Sequence, residues 1–149
     1  MPTKVQAITF EIEHQLYGIN ILLLDEILPM LEVQSIPKGP QFLEGVINLR
    51  GDIVPVIVLR TYFGYSKKEF SSDSRILISR FYSRKLGFII DGARNILEFE
   101  QNQIDPSVVE GTAAGFIKEI ARLDSGQIVQ FISISEVLDK SSLNQLSKF

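Results

Sequence analysis

The side chains that most often carry enzyme chemistry are few in this sequence and stand apart from one another. The 149 residues include one histidine and no cysteine. His14 lies between Glu13 and Gln15 in a polar turn, a setting typical of an exposed imidazole, because a general base or a metal site needs further groups placed beside the histidine. The lack of cysteine excludes a thiolate metal site, a disulfide and a cysteine nucleophile. We therefore predict no metal ion.

Nucleotide and paired-carboxylate chemistry have equally little support. The ten glycines are dispersed, and the sequence has neither a Gly-Lys-Ser/Thr nor a Gly-x-Gly-x-x-Gly motif, so no phosphate-binding loop is predicted. Acidic residues could pair in space, as a hydrolase would require, but isolated surface carboxylates are the common case; the candidates are Asp25, Glu26, Asp105, Glu110 and Glu119. We predict a protein that is not an enzyme and binds no cofactor.

The charge balance argues against a nucleic-acid partner. Fifteen basic and 18 acidic residues give a net charge of -3, which is unfavourable for binding a phosphate backbone. One basic segment with aromatic neighbours would suit a barrel that binds single-stranded nucleic acid, but alternation along strands divides its charges between two faces; it contains Arg75, Arg80, Arg84, Lys85 and Arg94. We also find no signal peptide in residues 1–13 and no membrane span, and predict a cytoplasmic protein.

Short apolar runs separated by turn residues predict a mainly β protein. The predicted strands of the first half are Val5–Ile12, Leu16–Ile21, Ile27–Val33, Gly45–Leu49 and Ile53–Leu59. A helical turn over Arg60–Phe63 and a polar linker over residues 65–74 follow. The second half repeats the pattern with strands Arg75–Phe81, Leu86–Asp91, Ile96–Glu100, Phe116–Leu123 and Ile128–Ile134. An amphipathic helix with Ser135 as its N-cap is predicted over Ser135–Leu146.

The two halves, residues 1–64 and 75–149, also echo each other in sequence. Glu13–Ile19 aligns with Ser83–Ile89, and Asn48–Val54 with Arg122–Val129. This order predicts two five-stranded barrels within one domain, sharing an apolar seam because neither half alone buries a large core.

Residues Gly45–Ile57 read G-V-I-N-L-R-G-D-I-V-P-V-I and closely resemble the signature of the CheW family. The resemblance extends over Phe10–Ile27, Ile36–Leu59, Arg75–Leu97 and Gly115–Leu138. It implies two intimately packed SH3-like barrels that could exchange strands, and a closing helix. It also implies a cytoplasmic scaffold, recruited to membrane receptor arrays, that couples chemoreceptors (methyl-accepting chemotaxis proteins) to the histidine kinase CheA.

The resemblance further implies two binding surfaces. The regulatory domain of CheA would contact Ile8, Ile21, Leu24 and Ile27, and the cytoplasmic tip of a chemoreceptor would contact Val46, Arg75, Gly87 and Ile96. From the residues alone, the apolar cluster around Leu24 could equally form the seam between barrels. We also predict that Arg50 pairs with Glu26 and holds the kinase-binding connection in place.

Two departures from the family pattern bear on the partner. Val58 and Ser133, at equivalent positions of the two repeats, stand where many CheW proteins have aspartate. They leave open an alternative, an adaptor of a parallel chemosensory pathway that controls type IV pili or another output.

Overall fold

The computed structural model describes residues 4–39, 42–81, 83–106 and 117–137. These residues fall into two compact units. The discontinuous unit comprises the described parts of residues 1–23 and 92–139, and the continuous unit those of residues 24–91. The units therefore do not coincide with the sequence halves 1–64 and 75–149: the first two strands of the chain join the last four.

The discontinuous unit is built on a six-stranded sheet. Its strands are β1 (Lys4–Ile12), β2 (Gln15–Asn20), β8 (Ala93–Glu100), β9 (Ile104–Pro106), β10 (Ile117–Arg122) and β11 (Ile128–Ile132). They lie in the order β8-β1-β2-β11-β10-β9, with β2 and β11 parallel and the other neighbours antiparallel. A 3-10 turn, Gln101–Gln103, separates β8 from β9. The chain therefore leaves outer strand β8, turns, and pairs through β9 with β10.

The continuous unit is built on a five-stranded sheet. Its strands are β3 (Glu26–Pro29), β4 (Leu43–Leu49), β5 (Asp52–Val58), β6 (Arg75–Phe81) and β7 (Arg84–Ile90). They lie in the order β3-β6-β7-β5-β4, and β5 and β7 are parallel. Beyond β3, the backbone of Gln34 exchanges two hydrogen bonds of 2.9 Å with Val46 in β4. The chain that follows outer strand β3 thus pairs with outer strand β4, just as β9, which follows outer strand β8, pairs with β10.

Both sheets thus have the same topology, and their registers reveal the repeat. The strand order β8-β1-β2-β11-β10 corresponds to β3-β6-β7-β5-β4. The hairpins close at Ile12–Gln15 and Phe81–Arg84, which makes Gly18 equivalent to Gly87. The sequence alignment of Glu13–Ile19 with Ser83–Ile89 was therefore wrong by one residue, because matching the leucines of two short hairpins ignored where each turn closes.

Each unit has its own apolar core. Burial of large aliphatic and aromatic side chains, each contributing about 1.5–3 kcal/mol, is the main stabilising term. The core of the continuous unit contains Ile47, Leu49, Val54, Val56, Val58, Ile76, Ile78 and Ile89. The core of the discontinuous unit contains Ala7, Leu16, Phe99, Ala121, Val129 and Phe131, and the rings of Phe99 and Phe131 meet edge to face at 5.4 Å between centroids.

The mainly β fold class is confirmed, with short helical segments as expected. The helical turn forms as α1 (Leu59–Tyr62), and a second helix, α2, covers Ile134–Val137. The predicted helix over Ser135–Leu146 is not confirmed, since residues 138–149 lie outside the described residues. Ser135 lies inside α2 and is not its N-cap, because the helix begins one residue earlier.

Candidate protein-binding surfaces

The polar side chains of the described residues do not assemble a metal site. No group of three or more histidine, cysteine or acidic side chains converges within the ranges that the structure describes. His14 lies in the β1–β2 turn with its side chain 97% exposed, and its Nδ1 is 3.9 Å from a carboxylate oxygen of Glu11. Both turn residues, Glu13 and His14, have positive φ, as the turn of a tight hairpin requires. The role of this histidine is that of a turn residue.

Glu26 and Arg50 form an ion pair within the continuous unit. Arg50 has φ 51° and Gly51 φ 92° in the two-residue β4–β5 turn, and Asn48 Oδ1 accepts a hydrogen bond of 2.9 Å from the Gly51 N–H. This turn directs the Arg50 guanidinium towards Glu26 in β3, and the hydrogen bond to that carboxylate raises the pKa of Arg50. The pair that the sequence analysis predicted is present, and it links outer strand β3 to the β4–β5 turn. Its part in binding stays a prediction.

The residues predicted to bind the kinase differ sharply in exposure. Ile21, Leu24 and Ile27 are half-buried, whereas Ile8 in β1 is only 4% exposed. Ile8 and Ile21 belong to the discontinuous unit, and Leu24 and Ile27 to the continuous one. Ile8 cannot offer a contact surface, because its side chain is packed inside the protein, and we withdraw it from the predicted surface.

The most exposed apolar side chains of this segment are two that sequence reasoning missed. Leu22 is 87% exposed and Leu23 49%, both in a 3-10 turn over Ile21–Leu23. The turn begins where the Leu22 N–H donates a hydrogen bond of 2.9 Å to the Asn20 side chain. The excess of large apolar residues correctly indicated that some would remain outside. The three-residue spacing did not single out Leu22 and Leu23. The helical turn that it assumed ends at Leu23, so Leu24 lies outside it; the part of Ile21, Leu24 and Ile27 in kinase binding stays a prediction.

The residues predicted to bind the receptor also differ in their exposure and in their contacts. Val46 is half-buried in β4, and Ile96 in β8 of the discontinuous unit is 51% exposed. Arg75 is half-buried, and its guanidinium donates hydrogen bonds to the carbonyls of Ser72 and Ser74, at 2.7 and 2.8 Å.

Gly87 has a packing role. It is buried in β7, and a Cβ added there would lie 2.5 Å from Val56 Cγ1. The absence of a side chain at Gly87 is therefore explained by strand packing, and we withdraw it as a contact residue.

One polar pair in the interior was not foreseen. The Arg60 Nε donates a hydrogen bond of 2.9 Å to Asp91 Oδ2, with the side chains 8% and 10% exposed. Arg60 Nη1 also donates to the carbonyl of Ser66 at 3.0 Å. The pair connects α1, the end of β7 and the segment that the sequence analysis treated as a linker. Its sequence signal is an arginine at the end of the apolar run Val54–Leu59.

Comparison with known proteins identifies the family. A family model described as "CheW-like domain" matches residues 6–142. The chain belongs to the CheW family. The protein named Chemotaxis protein CheW from Treponema pallidum is 29% identical over 150 residues, which cover 97% of this chain and 88% of that protein. Its counterpart from Thermotoga maritima is 26% identical over 142 residues, covering 95% and 93%.

A solved structure agrees with the fold. The crystal structure of the scaffolding protein TtCheW from Thermoanaerobacter tengcongensis matches with a TM-score of 0.80 and 34% identity, over 90% of each chain. The CheW family consists of chemotaxis scaffold or adaptor proteins. Among the described residues of this CheW-family chain, no helix is both long and apolar enough to cross a bilayer.

Proposed function

We propose that this protein is a non-enzymatic chemotaxis adaptor that couples chemoreceptors to the histidine kinase CheA. The observation that carries the proposal is the CheW-like match over residues 6–142, which spans both units. An adaptor acts through geometry, because it holds the kinase where a change in receptor conformation can shift the equilibrium between kinase states.

The proposed kinase surface lies on β3 of the continuous unit and on the residues just before it. Leu24 and Ile27 supply half-buried apolar area. Glu26, which lies between them in the sequence, pairs with Arg50 and ties the start of β3 to the β4–β5 turn. Partly exposed apolar groups next to ordered charges are the usual composition of a protein interface, in which the apolar part contributes affinity and the charges contribute specificity.

The proposed receptor contacts are Val46, Arg75 and Ile96. Ile96 has the largest exposed apolar surface of the three, and burying it against a coiled-coil tip would be favourable. The Arg75 guanidinium is held by two backbone carbonyls, so its position is fixed before a partner arrives. Such preorganisation lowers the entropic cost of binding.

Calorimetric titration with the regulatory domain of the CheA protein from the same organism tests the kinase half of the proposal. We expect saturable binding for the wild type and its loss in Leu24→Arg. Leu31→Arg is the matched control, since Leu31 is 37% exposed in the same unit and lies beyond the far end of β3. Equal binding by both variants would reject this surface, and absence of wild-type binding would reject the kinase as the partner.

Co-sedimentation with a receptor cytoplasmic fragment tests the other half. Ile96→Glu should weaken receptor binding and leave the calorimetric kinase titration unchanged. If Ile96→Glu bound the receptor fragment as tightly as the wild type, the receptor contact would have to be sought elsewhere.

Val58 is one of the two departures that raised an adaptor for a parallel pathway controlling type IV pili, and its place in the structure does not support that alternative. Val58 is 4% exposed and lies in the core of the continuous unit. A core valine in place of aspartate changes packing and does not alter a surface that a partner could recognise. We therefore keep receptor–CheA coupling as the proposed function.

A further inference from the structure

Residues 65–74, which the sequence analysis treated as a linker, are tied to the continuous unit. Arg60 Nη1 donates a hydrogen bond of 3.0 Å to the carbonyl of Ser66. Phe70 is half-buried and packs against the core of the unit. Because burying an aromatic side chain is favourable, this contact holds the chain against the core shortly before β6 begins. The segment therefore has a defined place in the fold.

The last four residues of this segment form a turn closed by serine side chains. Ser74 Oγ accepts a hydrogen bond of 2.9 Å from the Ser71 N–H, and Ser71 Oγ accepts one of 3.2 Å from the Asp73 N–H. The Ser74 N–H donates to the Ser71 carbonyl at 3.0 Å. Ser74 is only 2% exposed, and a buried hydrogen bond is stronger than one in contact with water. Ser74 is therefore the residue that fixes the turn.

The turn directs two carbonyls at one nitrogen of the Arg75 guanidinium. Arg75 Nη1 donates to the carbonyls of Ser72 and Ser74, at 2.7 and 2.8 Å. Within the part of the chain that the structure describes, Arg75 Nε and Nη2 make no hydrogen bond. These two nitrogens form one edge of the guanidinium, which can bind an acceptor through two parallel hydrogen bonds. The turn thus holds one side of the group and leaves the other for a partner.

We infer that Ser74 is a positioning residue for receptor binding: its hydroxyl holds the turn that presents Arg75 to a hydrogen-bond acceptor on the receptor tip. This inference rests on the proposed function and extends it, since Ser74 is buried and is not one of the proposed contacts. An arginine side chain that is ordered before binding loses less conformational entropy when it binds. Removing the Ser74 hydroxyl therefore weakens receptor binding although no contact with the receptor is removed.

Ser74→Ala tests the inference, with Ser72→Ala as the matched control. Ser72 supplies only its backbone carbonyl to Arg75, and the control variant keeps that carbonyl. Co-sedimentation with the receptor cytoplasmic fragment should show about fivefold weaker binding for Ser74→Ala and wild-type binding for Ser72→Ala. Calorimetric titration with the kinase regulatory domain should be unchanged in both variants, which separates a positioning role from a general loss of structure in the continuous unit.

A double-mutant cycle shows whether Ser74 acts through Arg75. Ser74→Ala should have no further effect on receptor binding when it is combined with Arg75→Ala, because the side chain that Ser74 positions is then absent. A loss of the same size in both backgrounds would overturn the inference, since Ser74 would then act by another route.

The single variants distinguish failure of the inference from failure of the proposed function. If Arg75→Ala weakens receptor binding and Ser74→Ala does not, the inference fails and the proposed receptor contact survives. If Arg75→Ala binds like the wild type, that contact and the inference both fail, and absence of wild-type binding would reject the receptor itself as the partner. Should Ser74→Ala prove unfolded, Ser71→Ala opens the turn from its exposed side, and an unchanged affinity in that variant would reject the inference.

Discussion

Arg60 and Asp91 bring opposite charges into the interior of the continuous unit. Removing either partner leaves the other buried without compensation, which commonly costs about 3–5 kcal/mol. We expect Arg60→Met and Asp91→Leu each to lower the free energy of unfolding by this amount, measured by urea denaturation. The double variant should recover most of the loss, because an apolar pair of similar volume avoids desolvating the charges.

If Arg60→Met or Asp91→Leu had the same urea midpoint as the wild type, the buried pair would not stabilise the fold. A matched comparison is Arg80→Met, which removes an arginine from an exposed pair in the same unit. That change should be nearly neutral, because exposed pairs add at most about 1 kcal/mol.

Gly87 and its equivalent Gly18 provide a graded test of strand packing. An added Cβ would lie 2.5 Å from Val56 Cγ1 at Gly87 but 3.0 Å from Val129 Cγ1 at Gly18. Overpacking a filled core typically costs about 1–3 kcal/mol, so Gly87→Ala should be the more destabilising in urea denaturation. Val56→Ala should partly rescue Gly87→Ala. Equal effects of the two glycine substitutions would show that the closer approach of Val56 does not determine the cost of the added methyl group.

Residue contacts could be predicted from the sequence only where a local pattern indicates them. The Glu26–Arg50 pair could be predicted, because Arg50 stands in a recognisable turn. The Arg60–Asp91 pair could not, because its partners are distant in the sequence and belong to different elements. Ile8 was assigned to a surface through the family resemblance and is buried, because consecutive residues of β1, from Ala7 to Phe10, are all buried and neither face of this part of the strand is free.

At the scale of elements, the strands were predictable and their ends less so. β6 has the predicted bounds, Arg75–Phe81, whereas β3 ends at Pro29 and not at Val33. β9 was missed because Ile104–Pro106 is three residues long, too short for an alternating pattern to stand out. Its existence follows from pairing with β10, which is tertiary information.

The Glu26–Arg50 pair acts at the scale of elements, because it ties β3 to the β4–β5 turn. Glu26→Gln should weaken kinase binding in calorimetry while shifting the urea midpoint only slightly, since the Arg50 side chain is 63% exposed. The exchange Glu26→Arg/Arg50→Glu retains the link between the strands. We expect it to restore binding only in part, as the charge seen by the partner changes sign. Unchanged affinity and folding in Glu26→Gln would remove this pair from the binding surface.

At the scale of the whole molecule, the sequence repeat correctly indicated two similar barrels but not which strands build them. Composition and turn residues describe strands one by one, and a repeat in their order is compatible with either contiguous halves or exchanged strands. The pairing of β2 with β11 decides the matter, because it joins residues 16–18 to residues 129–131. That contact has no local sequence signal.

This assignment of strands predicts how fragments of the chain behave. Residues 24–91 contain all five strands of the continuous unit and its core, so this fragment should unfold cooperatively in urea, with a strand-rich circular dichroism spectrum. Residues 1–64 contain β1–β5 but lack β6 and β7, which lie between β3 and β5 in the sheet. Without those central strands β3 has no neighbour to pair with, and fragment 1–64 should remain unfolded. Cooperative unfolding of fragment 1–64, together with an unfolded fragment 24–91, would show that the halves of the sequence are the folding units after all.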